Sequence, residues 1–184
     1  MYYIESIPKL RLFHGTIAKH DTIDLSCAKP LKDFGRGYYL TTYFSQAQTW
    51  AKRLECSPCY VYEYSLTPLL EGIKILELLE YNEAWLNYIS NNRSTAESYA
   101  DYDIVYNKMA DNRFPNIVDI INRYVNNKIS SKDAITLLKW QNPEADQFCF
   151  KTELAISHLQ RTKLTIYTLD AHGSWHSTTT SGEA

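Results

Sequence analysis

The chain has 184 residues, 45% of them hydrophobic and 22% charged, which excludes a disordered chain and leaves room for one domain with a substantial core. Nineteen basic and twenty-one acidic residues give a net charge of −2, which excludes a globally basic nucleic-acid binder. The total hides regional contrast: residues 1–53 carry eight basic and four acidic residues, 54–103 two and nine, and 104–184 nine and eight.

The first predicted element is a strand over Leu10–His14, from its apolar–polar alternation, followed by a polar loop from Gly15-Thr16 to Pro30. Gly37–Thr42, aromatic and β-branched behind two glycines, reads as a second strand. Ser45 can cap a helix presenting Ala47, Trp50, Ala51 and Leu54 on one face, ended by Pro58. Strands follow at Tyr60–Leu66 and Ile73–Leu76, then a helix over Asn82–Asn91 and a strand over Tyr102–Tyr106. Helices are expected over Pro115–Asn126, with Ile117, Ile120, Ile121, Tyr124 and Val125 on one side, and over Ser131–Trp140. Asn142-Pro143 breaks the chain before a strand at Gln147–Phe150, a short helix over Glu153–Leu159 and a last strand at Leu164–Leu169. Residues 1–169 thus read as a single α+β domain, and the small polar residues 170–184 as a mobile tail.

No apolar run approaches the ~20 residues of a membrane span, and the N-terminus lacks the basic flank and apolar stretch of a secretory signal. The expectation is a cytoplasmic protein with no membrane partner. Of the four cysteines only Cys56-Ser-Pro-Cys59 has a metal-like or redox-like spacing. It has no second Cys or His pair nearby, so reduced thiols and no metal site are expected. The fifteen tyrosines supply packing area with a polar handle and suit the stacking of a planar ligand.

Three short motifs carry the chemistry. They are Phe13-His14-Gly15-Thr16, the run Asp33-Phe-Gly-Arg-Gly-Tyr-Tyr-Leu-Thr-Thr42 leading into Ser45–Trp50, and Asp146-Gln147-Phe148-Cys149-Phe150. Singly, each has a structural explanation. A strand-end histidine can be a hydrogen-bonded core residue, and a strand glutamine can be merely solvated. Gly35-x-Gly37 precedes a strand and lacks a third glycine, so it is a tight turn rather than a dinucleotide fingerprint.

In this order the motifs resemble the ADP-ribosyltransferase fold of the diphtheria-toxin and poly(ADP-ribose) polymerase type. That fold has a His-Gly pair on its first strand, a Gly-x-Gly-hydrophobic-Tyr strand and a Glu on a late strand. A closer resemblance is to a family of bacterial proteins of that fold whose function is uncharacterised. It covers roughly residues 10–160 through His14-Gly15-Thr16, Asp33–Thr42, Ala110-Asp111-Asn112-Arg113 and Gln147–Glu153. The resemblance implies split antiparallel sheets with flanking helices, and NAD+ as co-substrate.

Within it, His14, Tyr39 and Gln147 would be the catalytic residues. His14 would bond a ribose hydroxyl, Gly15 would grip the nicotinamide amide through its backbone, and Tyr39 would stack on the nicotinamide ring. Thr16, Arg36, Gly37, Trp50 and Arg113 complete the implied NAD+ contacts. Trp50 is either a second stacking aromatic or a core residue of its helix, and Arg113 and Arg36 are the diphosphate candidates. Gln147 stands where the polymerases carry Glu; an amide can bond a hydroxyl but supplies no negative charge. Electrostatic help would then come from Asp111, Asp146 or Glu153.

The implied activity is mono-ADP-ribosylation of a macromolecule, protein or RNA. The implied role is that of a bacterial toxin restrained by an antitoxin protein, or of an anti-phage effector. The alternatives are an NAD-binding module of the same fold that does not react, and an NAD+ glycohydrolase.

Overall fold

A computed structural model describes residue 4 and residues 10–68, 72–95, 102–107, 109–110, 117–139 and 145–181. The fold is α+β, with two four-stranded sheets. The first sheet has the order β1 (Arg11–Thr16), β3 (Cys59–Leu66), β7 (Leu159–Leu169), β8 (Trp175–Ser181), antiparallel throughout. The second has the order β2 (Tyr38–Leu40), β6 (Gln147–Phe150), β5 (Ile104–Asn107), β4 (Ile75–Leu78).

Side-chain alternation along these strands sorts the residues into layers. Leu12, Tyr62 and Tyr64 from the first sheet meet Leu40, Ile104, Phe148 and Phe150 from the second in the central core. The outer face of the first sheet, with Phe13 and Val61, is covered by α1 (Phe44–Lys52) through Ala47 and Ala51. The outer face of the second, with Val105 and Cys149, lies under α2 (Glu83–Ser94), α3 (Ile117–Val125) and α4 (Ser131–Leu138). α3 turns Ile117, Ile120 and Ile121 inward, as its spacing predicts, whereas Val125 stays exposed. A short α5 (Glu153–Ile156) joins β6 to β7.

Three expectations are corrected. The sheets are not wholly antiparallel: β4 and β5 run parallel, because the chain between them passes through α2, a crossover rather than a hairpin. Residues 170–184 are not all unstructured tail, since Trp175–Ser181 form the edge strand β8 along β7. The turn is built by the Asp170 carboxylate, which accepts from the backbone N–H groups of His172 and Ser174, with Gly173 at φ 78°. The Thr-rich composition that suggested a tail is here a β-branched edge strand exposed from His176 to Ser181. Finally, Ser45 does not cap α1; the N-cap is Tyr43, without a side-chain cap.

Candidate functional site

Adjacent residues of an extended strand point to opposite faces, so the two tyrosines of β2 part company. Tyr38 enters the central core, where its hydroxyl lies 3.0 Å from Tyr64 Oη and 3.0 Å from His20 Nε2. Tyr39 turns to the helix-covered face and lies parallel to Phe34, ring centroids 5.9 Å apart. Its hydroxyl donates to the Gly35 carbonyl (2.7 Å) and accepts from the Phe34 N–H (3.1 Å). Burial pushes the phenol's pKa well above its ordinary value, so Tyr39 stays protonated at any physiological pH.

The loop that holds Tyr39 is itself pinned. Arg93 Nε donates to Asp33 Oδ1 at 2.6 Å, with both side chains largely buried, and Lys151 Nζ donates to the Phe34 carbonyl at 2.7 Å. Gly35 has φ 74°, a conformation that favours glycine. At Gly37 a Cβ would fall 2.3 Å from Cys149 Sγ, so the second glycine allows β2 to close on β6.

His14 lies where the two sheets part. The β1–β2 contact is a pair of bonds, Phe13 N–H to Thr41 carbonyl (2.7 Å) and Thr41 N–H to Phe13 carbonyl (3.0 Å). Beside it the imidazole takes over: His14 Nδ1–H donates to the Tyr39 carbonyl at 2.7 Å. That bond fixes the tautomer and leaves a lone pair on Nε2. Burial lowers the His14 pKa to about 4, against the Tyr39 carbonyl bond that raises it; the positive charges of His20 and Arg53 lower it further. The ring is therefore neutral at pH 7. It stacks on Tyr38 at 4.2 Å, with His20 edge-on at 5.8 Å and itself stacked on Tyr62 at 4.1 Å.

Gly15 has a structural duty that the motif does not reveal. A Cβ there would fall 1.9 Å from the Ala47 carbonyl oxygen, so the missing side chain is what lets α1 lie on β1. Trp50 is not the core residue its spacing allowed. Its indole is 47% exposed, Leu54 is also exposed, and the buried residues of the helix are Ala47 and Ala51. The contact Trp50 makes is with Arg53, whose guanidinium sits 3.8 Å over its ring; it has no ring contact with Tyr39.

The start of β6 carries Asp146 and Gln147. Asp146 is a clamp: Oδ1 accepts from Thr41 Oγ1 (2.7 Å) and the Thr42 N–H (2.8 Å), and Oδ2 accepts from Thr42 Oγ1 (2.7 Å). Gln46 adds to it by donating from Nε2 to the Asp146 carbonyl at 2.9 Å. The register Tyr39↔Cys149 places Gln147, two residues earlier, on the same face as Tyr39, opposite Asn107 of β5. Gln147 Oε1 is buried without a hydrogen-bond partner, and so are both amide atoms of Asn107.

Tyr39 and Gln147 thus share one face of the second sheet, while His14, stacked on Tyr38 on the other side of β2, meets Tyr39 only at its backbone carbonyl. The candidate acids fare differently. Asp146 is committed to the clamp, and Glu153, exposed at the start of α5, follows the far end of β6 from Gln147. Asp111 and Arg113 lie outside the described residues. Arg36 is exposed and bonds the Ala28 carbonyl at 2.6 Å, and Thr16 accepts from the Ala18 N–H. Tyr38, His20, Arg53 and Asn107 are site neighbours that motif reading passes over. Strand parity separates Tyr38 from Tyr39, but nothing in the sequence brings loop residue His20 or Arg53 to His14.

Among the described residues no His, Cys, Asp and Glu cluster is arranged to hold a metal ion, and no helix is long and apolar enough to cross a membrane. All four cysteines are free, and burial raises the Cys149 thiol to about 12. Residues 10–161 match a family described as Protein of unknown function (DUF3990). Neither a curated protein nor a solved structure matches the chain.

Proposed function

The chain belongs to this DUF3990 family, and for it we propose NAD+-dependent mono-ADP-ribosyl transfer on an ADP-ribosyltransferase-like fold. The observation that carries the reading is the His14 Nδ1–H bond to the Tyr39 carbonyl at the parting of the sheets. It fixes the tautomer and leaves Nε2 a neutral acceptor, which would take a ligand hydroxyl.

In the reaction the bond between nicotinamide and ribose breaks and its electron pair leaves with the nicotinamide nitrogen. The acceptor's nucleophile bonds to the same ribose carbon, and its proton passes to water. Positive charge grows on the ribose as nicotinamide departs. A protonated histidine beside it would oppose that charge, and the low pKa of His14 removes the conflict. Positioning is then the main task of the site. His14 Nε2 takes a ribose hydroxyl, and Gln147 Oε1 offers a second acceptor. The buried, doubly bonded Tyr39 gives a ring that does not move.

Lys32 and Arg53 fit the phosphates. Burial lowers both pKa values, and the positive charges of Arg93, Lys29 and Arg53 lower that of Lys32 further. The acceptor is a macromolecule, protein or RNA. By resemblance the biological setting is a toxin restrained by an antitoxin protein, or an anti-phage effector.

One observation favours a second reading, in which the site binds NAD+ without reacting: Gln147 brings no charge, and the neighbouring Asp146 carboxylate is fully engaged. Incubating the protein with labelled NAD+ and whole lysate, followed by protease or nuclease, separates the two. Label on protein or RNA that disappears in His14→Ala supports transfer. Binding without label or nicotinamide release supports the module, and nicotinamide release without labelled macromolecule indicates hydrolysis. Expression adds a cellular arm: His14→Ala and Tyr39→Ala relieve growth inhibition if the activity is toxic, and equal toxicity of both variants counts against an enzymatic cause.

A further inference from the structure

Burying an amide oxygen or N–H without a partner is unfavourable by about 1–3 kcal/mol per group, so such groups are few in native proteins and call for an explanation. Asn107 is 1% exposed, and both its Oδ1 and its Nδ2 lack partners. Gln147, directly opposite across the β5–β6 ladder, has a partnerless Oε1. Side chains opposite each other in an antiparallel pair have Cβ atoms about 5 Å apart, so a ligand group that reaches one amide reaches the other. The two do not bond each other.

We infer that Asn107 is a second substrate-binding residue, acting with Gln147 to hold the vicinal hydroxyls of the ribose attached to nicotinamide. The inference rests on the NAD+ reading above and adds to it a residue from a different strand. The stoichiometry of the unmet groups selects the ligand group. Two carbonyl oxygens, Asn107 Oδ1 and Gln147 Oε1, call for two O–H donors. The Asn107 NH2 calls for an acceptor, and each hydroxyl can donate and accept at once. A cis-diol answers all three; a single hydroxyl or a carboxylate does not.

The test measures NAD+ and ADP-ribose affinity by calorimetry, with denaturation midpoints, for the parent protein, Asn107→Leu, Asn107→Ser and His14→Ala. An NAD+ analogue lacking the 2′-hydroxyl of the nicotinamide ribose is the second ligand. Asn107→Leu is expected to keep or raise the midpoint and Asn107→Ser to lower it through the space it leaves, while both weaken NAD+ about tenfold, as loss of one to two hydrogen bonds does. The analogue should bind the parent about tenfold more weakly and the Asn107 variants little more weakly than NAD+ does. If folded Asn107 variants bind NAD+ like the parent while His14→Ala does not, the role of Asn107 is overturned and the NAD+ reading stands. If the parent binds neither NAD+ nor ADP-ribose, both fall together.

Discussion

Asp146 and Gln147 follow one another on the chain, yet their surroundings are opposite. Asp146, 6% exposed, has both carboxylate oxygens bonded, by two threonine hydroxyls and a backbone N–H. Gln147 turns to the other face, where its carbonyl oxygen meets none, beside an asparagine in the same condition. The contrast separates a polar group that holds the fold from one whose hydrogen-bonding capacity the fold does not use. The first ties the end of β2 to the start of β6 and keeps β2 in place for His14. The second leaves hydrogen-bonding capacity unspent inside the same corner.

The largest expected effect breaks the holding half. Asp146→Ala orphans the Thr42 N–H and hydroxyl and leaves the Thr41 hydroxyl to Gln46 Oε1 alone, and should lower stability by about 3 kcal/mol, read as a shift of the denaturant midpoint with an unchanged slope. A loss below about 1 kcal/mol would mean the clamp is not what anchors β6.

Next comes pH. The His14 pKa is about 4 when folded, against 6.5 ordinarily, so between these values the unfolded chain binds more protons than the native one. Stability from this source is complete above pH 6.5 and is lost as pH falls towards 4, by up to about 3 kcal/mol. His20, beside it, is shifted in the same direction by burial. His14→Gln should flatten the pH–stability curve in that window, while leaving a smaller slope from His20. An equally steep curve in the variant would show that His14 is not the group responsible.

A smaller change is expected from Tyr39→Phe, which removes the hydroxyl joining the Phe34 N–H and the Gly35 carbonyl. A loss of about 1–2 kcal/mol would appear in the same denaturation series; no loss would mean the loop is held by Arg93 and Lys151 alone. At the unused half the sign reverses. Gln147→Leu removes a buried oxygen that has no partner and should leave stability unchanged or raise it by about 1 kcal/mol. Destabilisation by more than that would place Gln147 with Asp146, as a structural group.

Much of the fold was legible because it rests on alternation. The strand at Gln147–Phe150 has the predicted bounds, and β3 begins one residue early. The apolar spacing of Ile117, Ile120 and Ile121 names the inward face of α3. β8 escaped because a solvated edge strand of Thr and Ser has no apolar period to read. Trp50 misled because a helix face can be drawn through it as well as through Ala47 and Ala51. The small residues won, since only they let the helix backbone approach Gly15.

The site was legible as far as motifs reach. Tyr39 and Gln147 share a face, as their strand positions allow, but the histidine bond runs to the tyrosine backbone, which no side-chain pattern encodes. The duties of Gly15 and Gly37 in packing were hidden for the same reason: each depends on what another segment brings against it. Asn107 was hidden too, since its importance comes from a strand pairing and an unmet bond rather than from local sequence.

On the proposed function, the site of His14, Tyr39 and Gln147 takes NAD+ and nicotinamide leaves from it. The direct measurement is nicotinamide released from labelled NAD+ in the presence of lysate, by the parent and by His14→Ala shown to be folded at pH 7. Release by the parent and a fall of about 100-fold in the variant are expected, in keeping with the loss of a positioning contact. Equal release by both proteins would contradict the proposed function.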